Sequence, residues 1–355
     1  MSRELSADVL AAERFDAEGN HDEAVNALAR AAGAGDVEGT TRLGKRLLVG
    51  DRAPAMPENG IRFILDAARA GGAEAAAMLA VLVARGLHVK SSWNDALNIL
   101  LTAAERGWRP AQQQLCALAG DRDLAAEGLA SPLAPAEFWR RLTKSIDFAF
   151  WNGVAQTETL NAEPLVRRLP DLLPLPVCGF FMERAAGRLE RAKVYDSLKR
   201  EDVTHRTRTN TAATFGLLDT DVVQLLVQAR MSQCCGLPVA NMEATAVLHY
   251  DVGEEITNHY DFVDPKSPDY AQEIAQRGQR VVTFLAYLND DYEGGETEFP
   301  RLGIRHKGRA GEGLYFVNSL PSGEADLRTV HAGRCPLKGE KWIISQFIRD
   351  RPAFS

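Results

Sequence analysis

Residues 243–261 read EATAVLHYDVGEEITNHYD, and this stretch decides how the second half of the chain folds. Its first eight residues predict a strand over 243–250, rich in side chains that suit a pleated surface. The triplet His259-Tyr260-Asp261 closes it. On an extended chain alternate residues share a face, so His259 and Asp261 point the same way. One more imidazole completes two nitrogens and a carboxylate oxygen, the facial triad that holds non-haem Fe(II) and leaves coordination positions open. His331 is the candidate, and Lys341 beyond it offers a fixed positive charge for an acidic co-substrate.

Outward from this stretch, further β-rich runs are expected at 281–288, 314–317 and 341–348, with helices over 177–191 and 221–231. Many short strands with Gly, Pro and Asp turns argue a β-sandwich or jelly-roll barrel. The polar stretch 263–279 reads as a lid or a long solvated loop.

The first part has a different pattern. Ala31-Ala32-x-x-Gly35 returns as Ala67-Ala68-x-x-Gly71 and Ala103-Ala104-x-x-Gly107, a period of 36 residues. Leu43, Leu79 and Leu115 keep the step, as do Gly50 and Gly86, and Leu65 and Leu101. A period of this size predicts stacked helix pairs, each burying its apolar face on the next, with glycines ending helices. Residues 120–139, with two prolines and few periodic apolar positions, read as the transition between domains. The expected organisation is a helical repeat domain over 1–140 and a β-rich domain over 141–355.

Apolar content of 45% and charged content of 25% are those of a globular chain. A net charge of −7 and no basic patch argue against nucleic acid as a partner. The start lacks the basic-then-apolar signature of a signal peptide and no apolar run reaches the length of a membrane span, so no membrane association is expected. Five scattered cysteines (Cys116, Cys178, Cys234, Cys235, Cys335) argue against a disulfide framework and for a reducing cytoplasm. His21, His88, His205, His249 and His306 read as ordinary core or surface histidines.

Ordered words along 164–352 sharpen this. They are Arg208-Thr209-Asn210-Thr211, Tyr250-x-x-Gly253, His259-x-Asp261, Gly278-Gln279-Arg280, Tyr287-Leu288-Asn289, Gly294-Gly295-Glu296-Thr297, His331-Ala332-Gly333 and Gly339-Glu340-Lys341-Trp342. With them the stretch resembles the prolyl 4-hydroxylase branch of the 2-oxoglutarate/Fe(II) oxygenases. Residues 10–120 resemble Sel1-like repeats, relatives of the tetratricopeptide family. Together the two resemblances imply a helical repeat solenoid followed by a double-stranded β-helix with flanking helices. They also imply Fe(II), 2-oxoglutarate and O2, with ascorbate as an optional reductant. His259, Asp261 and His331 would bind iron, and Lys341 would pair with the far carboxylate of 2-oxoglutarate. Tyr250 would hydrogen-bond that carboxylate and Thr297 would line its pocket. Packing for Tyr250, turn chemistry for Thr297 and an exposed strand edge for Lys341 are the structural alternatives. The reaction implied is hydroxylation of a C–H coupled to oxidative decarboxylation of 2-oxoglutarate, most simply at a prolyl residue of a peptide or protein.

Two departures concern the substrate. The family places an aromatic residue three before the first iron-binding histidine, where this chain has Ile256, and a Trp six after the lysine, where it has Phe347. Arg280 matches a family arginine that contacts substrate, or is a structural charge at a strand start; Arg208 is a second candidate. A free amino acid or another side chain is therefore an alternative substrate. A repeat-based binding module or sensor with a regulatory oxygenase half is the alternative function, and a Zn hydrolase using the same three ligands has no use for Lys341 or Tyr250. The repeats, if they bind anything, would recruit the substrate or another protein.

Overall fold

The 36-residue step becomes a step between helices. His21–Gly33, Pro57–Arg69 and Trp93–Glu105 start at 21, 57 and 93, and Val37–Val49, Ala73–Arg85 and Arg109–Leu118 follow at 37, 73 and 109. Ala31, Ala67 and Ala103 are buried in the first helix of each pair. Gly35, Gly71 and Gly107 in the turns have φ of 77, 99 and 84°, a conformation that only glycine adopts without cost. The computed structural model describes residues 5–352 apart from 88, 193, 197–200 and 204–207. His88 and His205 thus lie outside the described residues. Two compact units are present, Met1–Asp147 with Leu217–Leu225, and Phe148–Gly216 with Leu226–Ser355.

Within the helical unit, Val37–Val49 and Pro57–Arg69 meet backbone to backbone. A Cβ on Gly60 would stand 2.6 Å from Leu48 N and 2.7 Å from Gly44 O. Gly60→Ala is therefore expected to cost about 1–3 kcal/mol, the usual penalty of overpacking, seen as a lower midpoint in denaturant unfolding. An unchanged midpoint would mean the two helices can part without loss.

Residues 120–139, the expected transition between domains, are largely helical. They contain the helix Arg122–Ala130 and the start of Ala136–Lys144. Asp121 caps the first, accepting from Asp123 N and Leu124 N at 3.1 and 3.0 Å. Pro132 and Pro135 stand outside both helices, so neither breaks one. Phe138, Trp139 and Leu142 then bury one face of the second.

In the other unit the order of the larger sheet is Glu158–Asn161, Val166–Leu169, Gly313–Val317, Arg280–Tyr287, Lys341–Arg349, Thr245–Tyr250, Thr211–Phe215, Glu190–Arg191. These neighbours pair antiparallel. A second antiparallel sheet runs Ile304–His306, Thr297–Phe299, His331–Gly333, Ile256–His259. Leu248, Tyr250, Leu285, Tyr287, Leu314, Phe316 and Ile343 of the first sheet pack with Phe299 of the second. Each such side chain contributes about 1.5–3 kcal/mol on burial. The layered sheets are those of a double-stranded β-helix. The expected strands appear within two residues of their sequence bounds. The helix expected over 177–191 is Leu175–Ala186, and Glu190–Arg191 joins the sheet instead. The other expected helix spans Val222–Cys235.

The stretch 263–279 is not a plain loop. It contains the helix Pro268–Arg277, and Gln279 closes its neck. The Gln279 amide donates to Val263 O and accepts from Val263 N, both at 2.7 Å. All five cysteines are unpaired, and burial pushes the Cys116 and Cys178 thiols up to about 11 and about 12. Among the described residues no helix is long and apolar enough to cross a membrane.

Candidate active site

The smaller sheet brings the two histidines together. His259 and His331 are register partners on adjacent antiparallel strands, so both side chains leave the same face. Their rings lie 4.2 Å apart. Asp261 follows two residues after His259, with Oδ1 3.5 Å from His259 Nε2 and Oδ2 3.3 Å from His331 Nε2. The three ligand atoms fall within 4.8 Å of one another.

Which nitrogens face inward is decided by the backbone. His259 Nδ1 lies 2.9 Å from Thr257 O and His331 Nδ1 lies 3.0 Å from Thr329 O. A carbonyl only accepts, so each Nδ1 carries the hydrogen and each Nε2 turns toward Asp261. Burial would raise the Asp261 carboxyl, but His331 and His259 outweigh it and hold it well below the usual carboxylate range. Burial would likewise lower His331, and Asp261 overrides it and raises it. Two imidazole nitrogens and a carboxylate converge, with Asp261 and His331 buried and His259 half-buried, and call for positive charge between them. A divalent metal supplies it, and this donor set fits one.

Lys341 stands in the same cavity. It is a register partner of Tyr250 and is fully buried, not an exposed edge lysine. Its Nζ has no hydrogen-bond partner among the described residues and lies 5.0 and 6.0 Å from the ring centres of Tyr250 and Tyr287. Burial pushes the ammonium down to about 7, with Glu296 pulling the other way. A buried, unpaired ammonium is costly, and an anion bound beside it would offset that cost. Thr297 Oγ1 and Tyr287 Oη are 2.8 Å apart beside it. Tyr250, Thr297 and Lys341 line a cavity of ≈ 1270 Å³ together with His259, Asp261 and His331.

The four residues assigned to substrate, Arg208, Ile256, Arg280 and Phe347, line that cavity too. The Arg280 guanidinium is already engaged: Nε and Nη2 donate to Glu243 at 2.7 and 2.9 Å. It also lies 4.0 Å over the Phe347 ring. Arg208 Nε donates to Asn210 Oδ1 at 3.2 Å. His249 packs against Trp342 and lies 3.1 Å from Glu340.

Residues 245–349 match the 2OG-Fe(II) oxygenase superfamily. The C-terminal unit carries an oxygenase domain of this family. Prolyl 4-hydroxylase subunit alpha-1 of Gallus gallus is 32% identical over 200 residues, 56% of this chain and 38% of that protein. Probable prolyl 4-hydroxylase 9 of Arabidopsis thaliana is 29% identical over 219 residues, 56% of this chain and 73% of that protein. The chain thus spans well under half the length of the first relative. A solved Sel1 repeat protein from Oxalobacter formigenes is 28% identical, covering 33% of this chain and 95% of its own, with a TM-score of 0.28.

Sequence reasoning missed three groups here. Tyr260 and Phe262, with rings 4.8 Å apart, line the cavity, although strict alternation puts them opposite the ligands. Tyr287 could have been found, since two-residue spacing sets it on the face of Leu285. Thr283, on the same spacing, touches Asp261 at 2.9 Å.

Proposed function

We propose that the chain is a 2-oxoglutarate- and Fe(II)-dependent hydroxylase of a prolyl residue in a peptide or protein, with His259, Asp261 and His331 holding the metal. What carries the reading is the meeting of two inward Nε2 atoms and a carboxylate with the unpartnered Lys341 in one cavity. The bound metal, with 2-oxoglutarate and O2, supplies the oxidant that turns a substrate C–H into C–OH, with succinate and CO2 released. Lys341 would pair with the far carboxylate of 2-oxoglutarate, a charge-assisted contact. Tyr250 and Thr297 would close the space around that carboxylate. Ile256 and Phe347 would form the apolar wall for the proline ring, and Arg280 would brace Phe347 rather than reach the substrate. A cavity of this size exceeds what a small co-substrate needs, which leaves room for a length of peptide. The helical repeats would recruit the substrate protein. Unpaired cysteines fit a reducing compartment such as the cytoplasm, and ascorbate would restore the ferrous state.

The test is a turnover screen of the full chain with Fe(II), 2-oxoglutarate and ascorbate across proline-containing peptides, free amino acids and peptides lacking proline. The expected result is succinate formation stimulated by prolyl peptides, each gaining one oxygen in mass. Stimulation by free amino acids, or oxygen on another side chain, would remove the prolyl assignment and leave the metal site standing.

A further inference from the structure

We propose that Asn318 and Thr283 form a one-directional hydrogen-bond chain that fixes which oxygen of Asp261 is offered to the metal, with Thr283 as a positioning residue. The inference rests on the metal-site reading above and adds the groups that orient its carboxylate.

Asp261 lies just beyond the strand Ile256–His259, at the neck of the 263–279 segment. No ladder holds it. The Thr283 hydroxyl reaches it from the larger sheet, with Oγ1 2.9 Å from Asp261 Oδ2. Asn318 Nδ2 stands 2.9 Å behind, on Thr283 Oγ1. The direction follows from donor counting. An ionised carboxylate only accepts, so the hydroxyl donates its one hydrogen to Asp261. Thr283 Oγ1 can then only accept, and the Asn318 amide must donate.

The amide is held in that orientation at a cost, because Asn318 Oδ1 is buried without a partner among the described residues. Turned the other way, its carbonyl would compete for the single hydrogen of Thr283 and release Asp261. Thr283 and Asn318 are fully buried and Asp261 nearly so, so water does not substitute for either donor. Both supports are rigid. Thr283 sits in the ladder opposite Phe316 and Phe347. Asn318 N donates to Val281 O at 2.8 Å, and Asn318 O accepts from Asp326 N at 2.9 Å. The chain therefore carries the stiffness of the main sheet to a ligand that lacks its own. It engages Oδ2, which also lies 3.3 Å from His331 Nε2, and leaves Oδ1, 3.5 Å from His259 Nε2, as the oxygen with no hydroxyl on it.

Mn(II) affinity, read by the electron paramagnetic resonance of the free ion, and the Co(II) absorption spectrum test this on the full chain. Thr283→Val keeps the shape and removes the hydroxyl; its Mn(II) affinity should fall about 10–100-fold, the usual effect of losing an outer partner. Its Co(II) spectrum should change as Asp261 becomes free to offer both oxygens. Thr283→Ser should bind within about threefold of the parent and keep the parental spectrum. If Thr283→Val fails to fold, T283V/N318L removes both polar partners together and should show the same loss. Parental Mn(II) affinity and an unaltered Co(II) spectrum in Thr283→Val or in the double variant would overturn the proposal. So would a loss in Thr283→Ser as large as in Thr283→Val. A parent chain that binds neither ion would instead remove the metal-site reading, and this inference with it.

Discussion

Asp261→Ala is expected to drop Fe(II)-dependent succinate formation to background and to abolish the stabilisation that a divalent metal gives the folded chain. The substitution removes the only carboxylate of the three converging groups. Two neutral imidazoles remain, with no anion to balance a dication. Losing an outer partner costs about 10–100-fold in metal affinity, and losing a ligand should exceed that. At a metal concentration of about 100 times the parental Kd, the parent gains about 2.7 kcal/mol; the variant should gain almost none. Thermal unfolding with and without Mn(II) measures this separately from turnover. His331→Ala should be as inactive but is a less clean test, because its buried ring packs against Phe299 and Phe316 at 5.4 and 4.8 Å, and truncation there opens a cavity. Asp261→Ala with parental turnover of 2-oxoglutarate, or with an intact Mn(II)-dependent rise in Tm, would end the assignment of this triad.

The convergence of His259, Asp261 and His331 was legible in the sequence because residue type and spacing are what bring such side chains together. Two-residue spacing put His259 and Asp261 on one side, and the repeat period gave every helix pair from His21 to Leu118 because alanines and glycines mark each turn. The misreadings have local causes. Prolines at 132 and 135 support reading 120–139 as a transition although each stands just outside a helix, and the polar composition of 263–279 hides the helix Pro268–Arg277. Thr283 and Asn318 carry no signal of their own, since a threonine in a strand is ordinary until the fold sets it 2.9 Å from Asp261. Arg280 shows the same limit. Its position was legible, but its bidentate commitment to Glu243 needed the strand register that brings residues 37 apart in sequence together.

Lys341→Met should make the ligand-free chain more stable while it destroys 2-oxoglutarate binding. The two effects have one cause, the burial of an ammonium that has no hydrogen-bond partner among the described residues. A depression from 10.5 to about 7 corresponds to about 5 kcal/mol against the charged form. The sign follows from proton counting. Between pH 7 and 10.5 the unfolded chain holds a proton on Lys341 that the folded chain has released, so protonation favours unfolding. The penalty is fully present below about pH 7 and fades as pH rises toward 10.5. The parent should therefore trail Lys341→Met in unfolding free energy at pH 7 and close the gap in alkali. Binding reverses the balance, because a carboxylate at Nζ needs the ammonium. Above pH 7 the parent should take up a proton, approaching one per 2-oxoglutarate bound, seen by calorimetry in buffers of differing ionisation enthalpy. The variant should lose at least about 100-fold in affinity, since stranding one member of a buried ion pair costs about 3–5 kcal/mol. A Lys341→Met chain less stable than the parent at neutral pH would mean that Nζ has a partner in the folded state. Undiminished 2-oxoglutarate affinity would take the far carboxylate away from this lysine.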